Sequence, residues 1–193
     1  MASAIWVENR VLKSMSDTDL YRRIVSDLVA AVDGSNYAAD ANEPDPRYKG
    51  YGVRKPAVDA LIKRYRKEIS ALTMAQKLAF SRRLIKSGYG EQKTVALAAL
   101  EQIVDYFSPD HFLELESLIR GLHGWSKIDS YTGSLLRDVL VRHPTAFLAL
   151  LDTWNRDEDP WLRRASVVIF TRKVAATGKY HDVALRHCER LKH

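Results

Sequence analysis

The sequence predicts an all-α protein, and three observations carry that prediction. Helix starts are strongly marked, hairpin signals such as Asn-Gly and strand-like alternation are missing from the 193 residues, and the starts recur at a fixed interval. The first helix of each pair is expected near Thr73, Pro109, Thr145 and His181, and the second near Gly90, Trp125 and Trp161. A helix-pair period of about 36 residues implies an α-solenoid, in which each pair buries its apolar face on its neighbours. The tetratricopeptide pattern is missing, so the expected architecture is an array of HEAT-like antiparallel helix pairs.

In chain order, helices are expected at 4–14, 17–33, 54–69, 73–87, 91–106, 109–120, 125–141, 145–155, 160–176 and 181–191. The fourth opens on a capping box, Thr73 to Gln76, whose two side chains each satisfy a backbone N–H of the first turn. Ser108-Pro109 and Asp159-Pro160 place a capping side chain before a proline at the first helical position, and His143-Pro144 suits a start in the same way. Glycines at 88, 90, 121, 124 and 178 fall where helices should begin or end. The one long loop, "DGSNYAADANEPDPRYKGYG", separates an N-terminal helical cap and loop, residues 1–50, from the repeats, 51–193. By the period, the array stops inside its last repeat.

A chain of this length with 46% hydrophobic residues can bury a core of its own. It has no run of about 18 apolar residues to span a membrane, and "MASAIWVENRVLKSMSD" carries charges through any apolar region a signal peptide would need. The single cysteine, Cys188, forms no internal disulfide and suits a reducing cytoplasm. The net charge of +6 is unevenly spread: residues 51–87 hold 10 Lys/Arg against 2 Asp/Glu, residues 1–50 hold 6 against 8, and residues 88–193 hold 14 of each. Such a concentrated positive field attracts polyanions, DNA or RNA above all. A solvated helix face fits the same composition.

The repeat also isolates candidate site residues. Trp161, Trp125 and Tyr89 share one phase, each opening the second helix of its pair, so an aromatic staple between layers explains all three. One turn later the repeats diverge. Asp129 shares its phase with Lys93 and Ala165, and Arg164 with Ile128 and Gln92. A repeat scaffold alone requires neither a carboxylate at 129 nor an arginine at 164. Trp125 and Asp129, spaced i, i+4, project from one side of their helix. A flat apolar ring beside a carboxylate suits a cationic guest, and Arg164 or Arg163 one repeat along suits a phosphate. The competing reading makes Asp129 a buried carboxylate paired with a nearby base, Arg164 included. His181, His187 and Cys188 show no metal-ligand spacing, and neither a Gly-rich phosphate loop nor a Gly-x-Ser-x-Gly elbow is present.

"YGVRKPAVDAL", "HGWSKIDSYTGSLL" and "DPWLRRASVV" together resemble the DNA alkylation repair family, the HEAT-like AlkD-type DNA glycosylases. The family's Tyr-Gly-(Ile/Val)-Arg-x-Pro, Trp-x-x-x-Asp and Trp-Leu-x-Arg elements occur in the same order at Tyr51–Pro56, Trp125/Asp129 and Trp161–Arg164, over roughly residues 45–193. The resemblance implies a monomeric enzyme of base excision repair. It would hydrolyse the N-glycosidic bond of N3- or N7-alkylated purines in duplex DNA, without metal or cofactor. By the resemblance, Asp129 stabilises the charge developing on the sugar, Trp125 packs on the nucleotide and Arg164 holds a backbone phosphate. Arg163, Arg54 and Lys55 are further expected DNA contacts. The family's usual further helix, resembling "IGWALREY", is expected near position 197, past His193. The alternative to an enzyme is a non-catalytic module of the same fold that binds DNA or a protein.

Overall fold

The computed structural model describes residues 16–33 and 43–192, and within them the chain is all-helical, its one β-type contact being an isolated bridge between Lys49 and Tyr89. The helix expected at 4–14, with Trp6, lies outside the described residues, as does 34–42 of the long loop. Among the described residues, no helix is long and apolar enough to cross a membrane. Contacts gather in two units, one of residues 16–33 with Lys49–Gln102, the other of Glu43–Tyr48 with 103–192.

In the first unit, α1 (Asp17–Ala30) begins at Ser16, whose hydroxyl accepts from the Asp19 N–H. It buries Leu20, Ile24 and Leu28, an i, i+4 stripe, against α2 (Lys55–Ala71) and α3 (Met74–Lys86). The capping box of α3 is formed: Thr73 Oγ1 accepts from Gln76 N at 3.2 Å and Gln76 Oε1 from Thr73 N at 2.9 Å. α4 (Gly90–Leu100) packs on both α2 and α3, and its first turn, Gly90 to Lys93, is buried together with Val95, Ala96 and Ala99. The helix expected to run to 106 stops at Leu100 and tightens into a 3₁₀ turn, with Ile103 leaving helical geometry at φ −125°.

The second unit holds α5 (Phe112–Arg120), α6 (Trp125–Tyr131), α7 (Arg137–Arg142), α8 (Pro144–Trp154), α9 (Pro160–Val168), the single turn α10 (Arg172–Ala175) and α11 (His181–Arg190). α9 is its hub and touches α5, α6, α8 and α11. Its buried face carries the small residues Ala165 and Ser166, which let neighbouring helices approach. Asp159 caps it as expected, accepting from Trp161 N at 2.8 Å. Ser108 does not cap its turn, because its hydroxyl instead meets His111 Nδ1 at 3.0 Å.

Two expected helices are interrupted, and both interruptions matter for the site. Residues 125–142 run continuously but widen into a π-turn at Thr132–Leu136, between α6 and α7. Thr132 Oγ1 donates within reach of the Ile128 and Asp129 carbonyls, at 2.9 and 3.1 Å, which offsets the weakened backbone ladder. The helix expected at 160–176 ends at Val168 and resumes only at Arg172, whose φ is +52°. A side chain with a Cβ seldom adopts that left-handed geometry, so the break is held by its surroundings.

Candidate active site

The site grows from the start of α6. Its N-cap, Gly124, has no side chain to satisfy the first N–H groups, and a residue from far along the chain supplies the acceptor. The Glu43 carboxylate accepts from Trp125 N at 2.8 Å and Ser126 N at 3.1 Å. A negative group at this end also complements the helix dipole. Gly124 is required by packing: a Cβ there would lie 2.6 Å from the Tyr48 ring.

Tyr89, Trp125 and Trp161 lie at the starts of α4, α6 and α9, and the chain uses them differently. Tyr89, in the first unit, is stacked on Tyr51 with ring centroids 4.0 Å apart. Trp161 is 7% exposed, and its indole N–H donates to Asp45 Oδ2 at 2.8 Å. Trp125 is 40% exposed. Tyr89 and Trp161 are therefore held in place, by Tyr51 and Asp45, whereas Trp125 presents its ring.

One turn along α6, Asp129 meets Arg164 of α9 in a bidentate pair, Nε to Oδ1 and Nη2 to Oδ2, both 2.8 Å. The guanidinium carbon lies 6.0 Å from the centre of the Trp125 ring, so ring, carboxylate and cation form one cluster. The side chains are only partly covered, Asp129 at 20% and Arg164 at 37% exposure. Lys93, Ala165, Ile128 and Gln92, the residues expected at the same repeat phases, are all buried.

Beside Asp129 the two helix interruptions leave a cavity of about 170 Å³. Asp129, Thr132 and Gly133 line one side, and Thr171, Arg172 and Lys173 the other, with Arg137 completing it. Arg137 is tied down, donating to Asp138 and to the Gly133 carbonyl, while Arg172 and Lys173 are exposed. With Asp129 matched by Arg164 and Arg137 by Asp138, the exposed Arg172 and Lys173 leave this rim positive and attractive to a phosphate oxygen.

A family model described as DNA alkylation repair enzyme matches residues 14–192. The chain belongs to the DNA alkylation repair enzyme family. A comparison with curated proteins returns no match.

For an alkylation repair enzyme, DNA is the substrate, and the remaining expected residues divide by position. Arg163, next to Arg164, points Nη1 at the carbonyls of Asp157 and Glu158, at 2.9 and 3.2 Å, and so secures the loop before α9. Arg54 and Lys55 lie at the start of α2 in the other unit, exposed, with Asp33 3.8 Å and Asp59 2.5 Å away. The motif around them has a structural cause: the Glu91 carboxylate accepts from the N–H groups of Tyr51, Gly52 and Val53 at 3.0–3.1 Å, with Gly52 at φ +83°. Tyr51 and Gly52 of that motif thus fasten the repair enzyme's chain to the start of α4. Sequence reasoning missed Glu91, Glu43, Asp45 and Tyr48. Only the two prolines flanking Asp45 mark the last three, and that pattern reads equally well as a linker.

Proposed function

We propose that this repair enzyme is a DNA glycosylase that hydrolyses the N-glycosidic bond of N3- or N7-alkylated purines in duplex DNA. The observation that carries the reading is the cluster of Trp125, Asp129 and Arg164, in which a carboxylate and an open aromatic ring share one helix face beneath a guanidinium. Alkylation leaves the purine cationic. When the bond from C1′ breaks, its electron pair goes to the base, which leaves neutral, and the deoxyribose carries the positive charge. Asp129 stabilises that charge, and a water completes the reaction by adding to C1′ and losing a proton to the carboxylate. Trp125 packs on the nucleotide.

The Asp129–Arg164 pair does not stand in the way of this chemistry. A guanidinium has five N–H donors, of which two face Asp129, so three remain for a backbone phosphate. Each carboxylate oxygen keeps a second lone pair for water or the sugar cation. Arg172 and Lys173 supply a neighbouring phosphate seat. The helix starts support a HEAT-like reading of the pairs: Met74, Pro109, Pro144 and His181 for the first helices, Gly90, Trp125 and Pro160 for the second.

The test is release of 7-methylguanine from methylated duplex DNA by the chain and by Asp129→Asn. Removing one preorganised electrostatic group should lower the single-turnover rate by on the order of 10²–10³ while leaving duplex affinity nearly intact. The pair is half-buried and not enclosed, and asparagine keeps the shape of the side chain, so the variant should lose some stability yet stay folded, which a denaturant midpoint checks. The same pair favours a second reading, a module that binds DNA without cleaving it, in which the carboxylate serves only to hold Arg164. In that case neither protein releases base, and Asp129→Asn weakens binding or stability instead.

A further inference from the structure

The Glu43–Tyr48 segment touches the starts of both helices that carry the cluster. Glu43 supplies the acceptor for the first two N–H groups of α6. Two residues on, Asp45 takes the indole N–H of Trp161 at the start of α9. Tyr48 closes the far end against Gly124. α6 brings Trp125 and Asp129, and α9 brings Arg164.

We infer that this segment is the positioning device of the site: by gripping the starts of α6 and α9 together, it sets the spacing at which Asp129 meets Arg164 over the Trp125 ring. The inference deepens the glycosylase reading and rests on it for its catalytic consequence.

The segment suits that task. Pro44 and Pro46 fix φ on either side of Asp45, so the two carboxylates sit on a stiff stretch, about 7 Å apart in an extended chain. Asp45 is itself anchored: Arg47 donates to it through Nε at 2.9 Å, Nη2 at 2.6 Å and its backbone N–H at 2.9 Å, and the chain turns back through a Tyr48 N–H bond to the Asp45 carbonyl. The Arg47 guanidinium holds the Asp45 carboxyl well below the usual carboxylate range, with the Trp161 indole bond adding to the effect, so Asp45 remains an acceptor at any working pH. The start of α6 needs outside support, because its own cap is a glycine with no side chain to accept from the first N–H groups. Glu43, Asp45 and Tyr48 do not line the cavity, and the bonds of Glu43 and Asp45 to α6 and α9 fall on the helix starts.

The test compares the full chain with Asp45→Ala, Asp45→Asn and Glu43→Gln. Three readouts are taken: single-turnover release of 7-methylguanine at saturating protein, duplex affinity, and the ¹H–¹⁵N resonance of Arg164 Nε, which donates to Asp129. In Asp45→Ala the expected result is a rate lower by on the order of tenfold to a hundredfold, because small misplacements of a reacting group are costly. Affinity should be unchanged and the Arg164 Nε resonance shifted. Asp45→Asn keeps an acceptor for the indole and should recover most of the rate and the parent resonance. Glu43→Gln keeps one acceptor of two and should fall between, which decides the matter should Asp45→Ala fail to fold. A folded Asp45→Ala with Arg164 Nε unmoved overturns the inference whatever its activity. A parent chain that releases no base overturns the glycosylase reading alone, because the Arg164 resonance still reports the positioning.

Discussion

At the scale of single residues, two glycines near the site show how local space decides the sign of a substitution. Gly124 faces the Tyr48 ring, with 2.6 Å left for a Cβ, and Glu43 Oε2 stands 3.1 Å away. Gly133, in the π-turn, would place a Cβ 3.9 Å from Arg172 Nη1, an ordinary contact. Gly124→Ala should therefore push Tyr48 off the α6 start and cost about 1–3 kcal/mol, the range for overpacking. Gly133→Ala should gain about 0.5–1 kcal/mol, because alanine loses less backbone entropy inside a helix. Denaturant midpoints of the two variants check both signs. Sequence reasoning placed Gly124 at a helix boundary and left Gly133 inside the helix expected at 125–141, with no means of ranking them, since the ring that penalises Gly124 comes from residue 48.

At the scale of elements, α8, α9 and α11 meet around a buried polar network that the sequence did not reveal. Asn155 Nδ2 donates to Ser166 Oγ at 3.0 Å and to the His187 carbonyl at 3.3 Å, and His187 Nδ1 donates to the Ser166 carbonyl at 2.9 Å. His187 is 1% exposed, with Nε2 3.6 Å from Asp152, which Arg190 also holds. Burial pulls the imidazole below its ordinary 6.5, the Ser166 carbonyl and Asp152 oppose that shift, and Arg190 and Arg186 reinforce it. The folded value lies below the unfolded one, so the neutral ring's contribution is fully present above 6.5 and is lost as the pH falls through the folded value. Asp152 and Asp157, each lowered from 3.8 chiefly by an arginine partner, lose their contribution only below that range. The melting temperature should thus show a first decline starting below 6.5, and His187→Gln should flatten that limb while leaving the acid limb in place. Cap chemistry made the helix starts legible: Thr73, Asp159 and the prolines mark them. The interruptions were illegible for a related reason. "VVIFTRKVAA" contains no glycine or proline to announce the break before Arg172, and a π-turn adds one residue per turn without disturbing the apolar spacing enough to register. The cavity beside Asp129, formed by those two defects, was therefore invisible in the sequence even though Asp129 itself was not.

At the scale of the whole molecule, the question is what the concentrated positive charge of residues 51–87 does. Much of it is answered within its own unit: Arg54 lies near Asp33, Lys55 pairs with Asp59, Arg64 with Asp27 and Arg83 with Asp17, while Lys77 is buried and donates to the carbonyls of Ser70 and Leu72. Lys63, Arg66 and Lys67 lie exposed on α2. A cation already paired releases fewer DNA counterions than an exposed one, and screening over about 8 Å at physiological salt confines each to local contacts. The logarithmic dependence of duplex affinity on salt consequently counts the cations that touch phosphate, at about 0.9 per contact. Replacing Lys63, Arg66 and Lys67 together by glutamine should shallow that slope by about 2–3 and weaken methylated and unmodified duplex equally, because phosphate contacts carry no information about the base. Replacing Lys55 and Arg64 should change it less. An unchanged slope in the triple variant would make the α2 charge a solvated face, and the DNA contacts would then belong to Arg164, Arg172 and Lys173, whose removal should shallow the slope on its own.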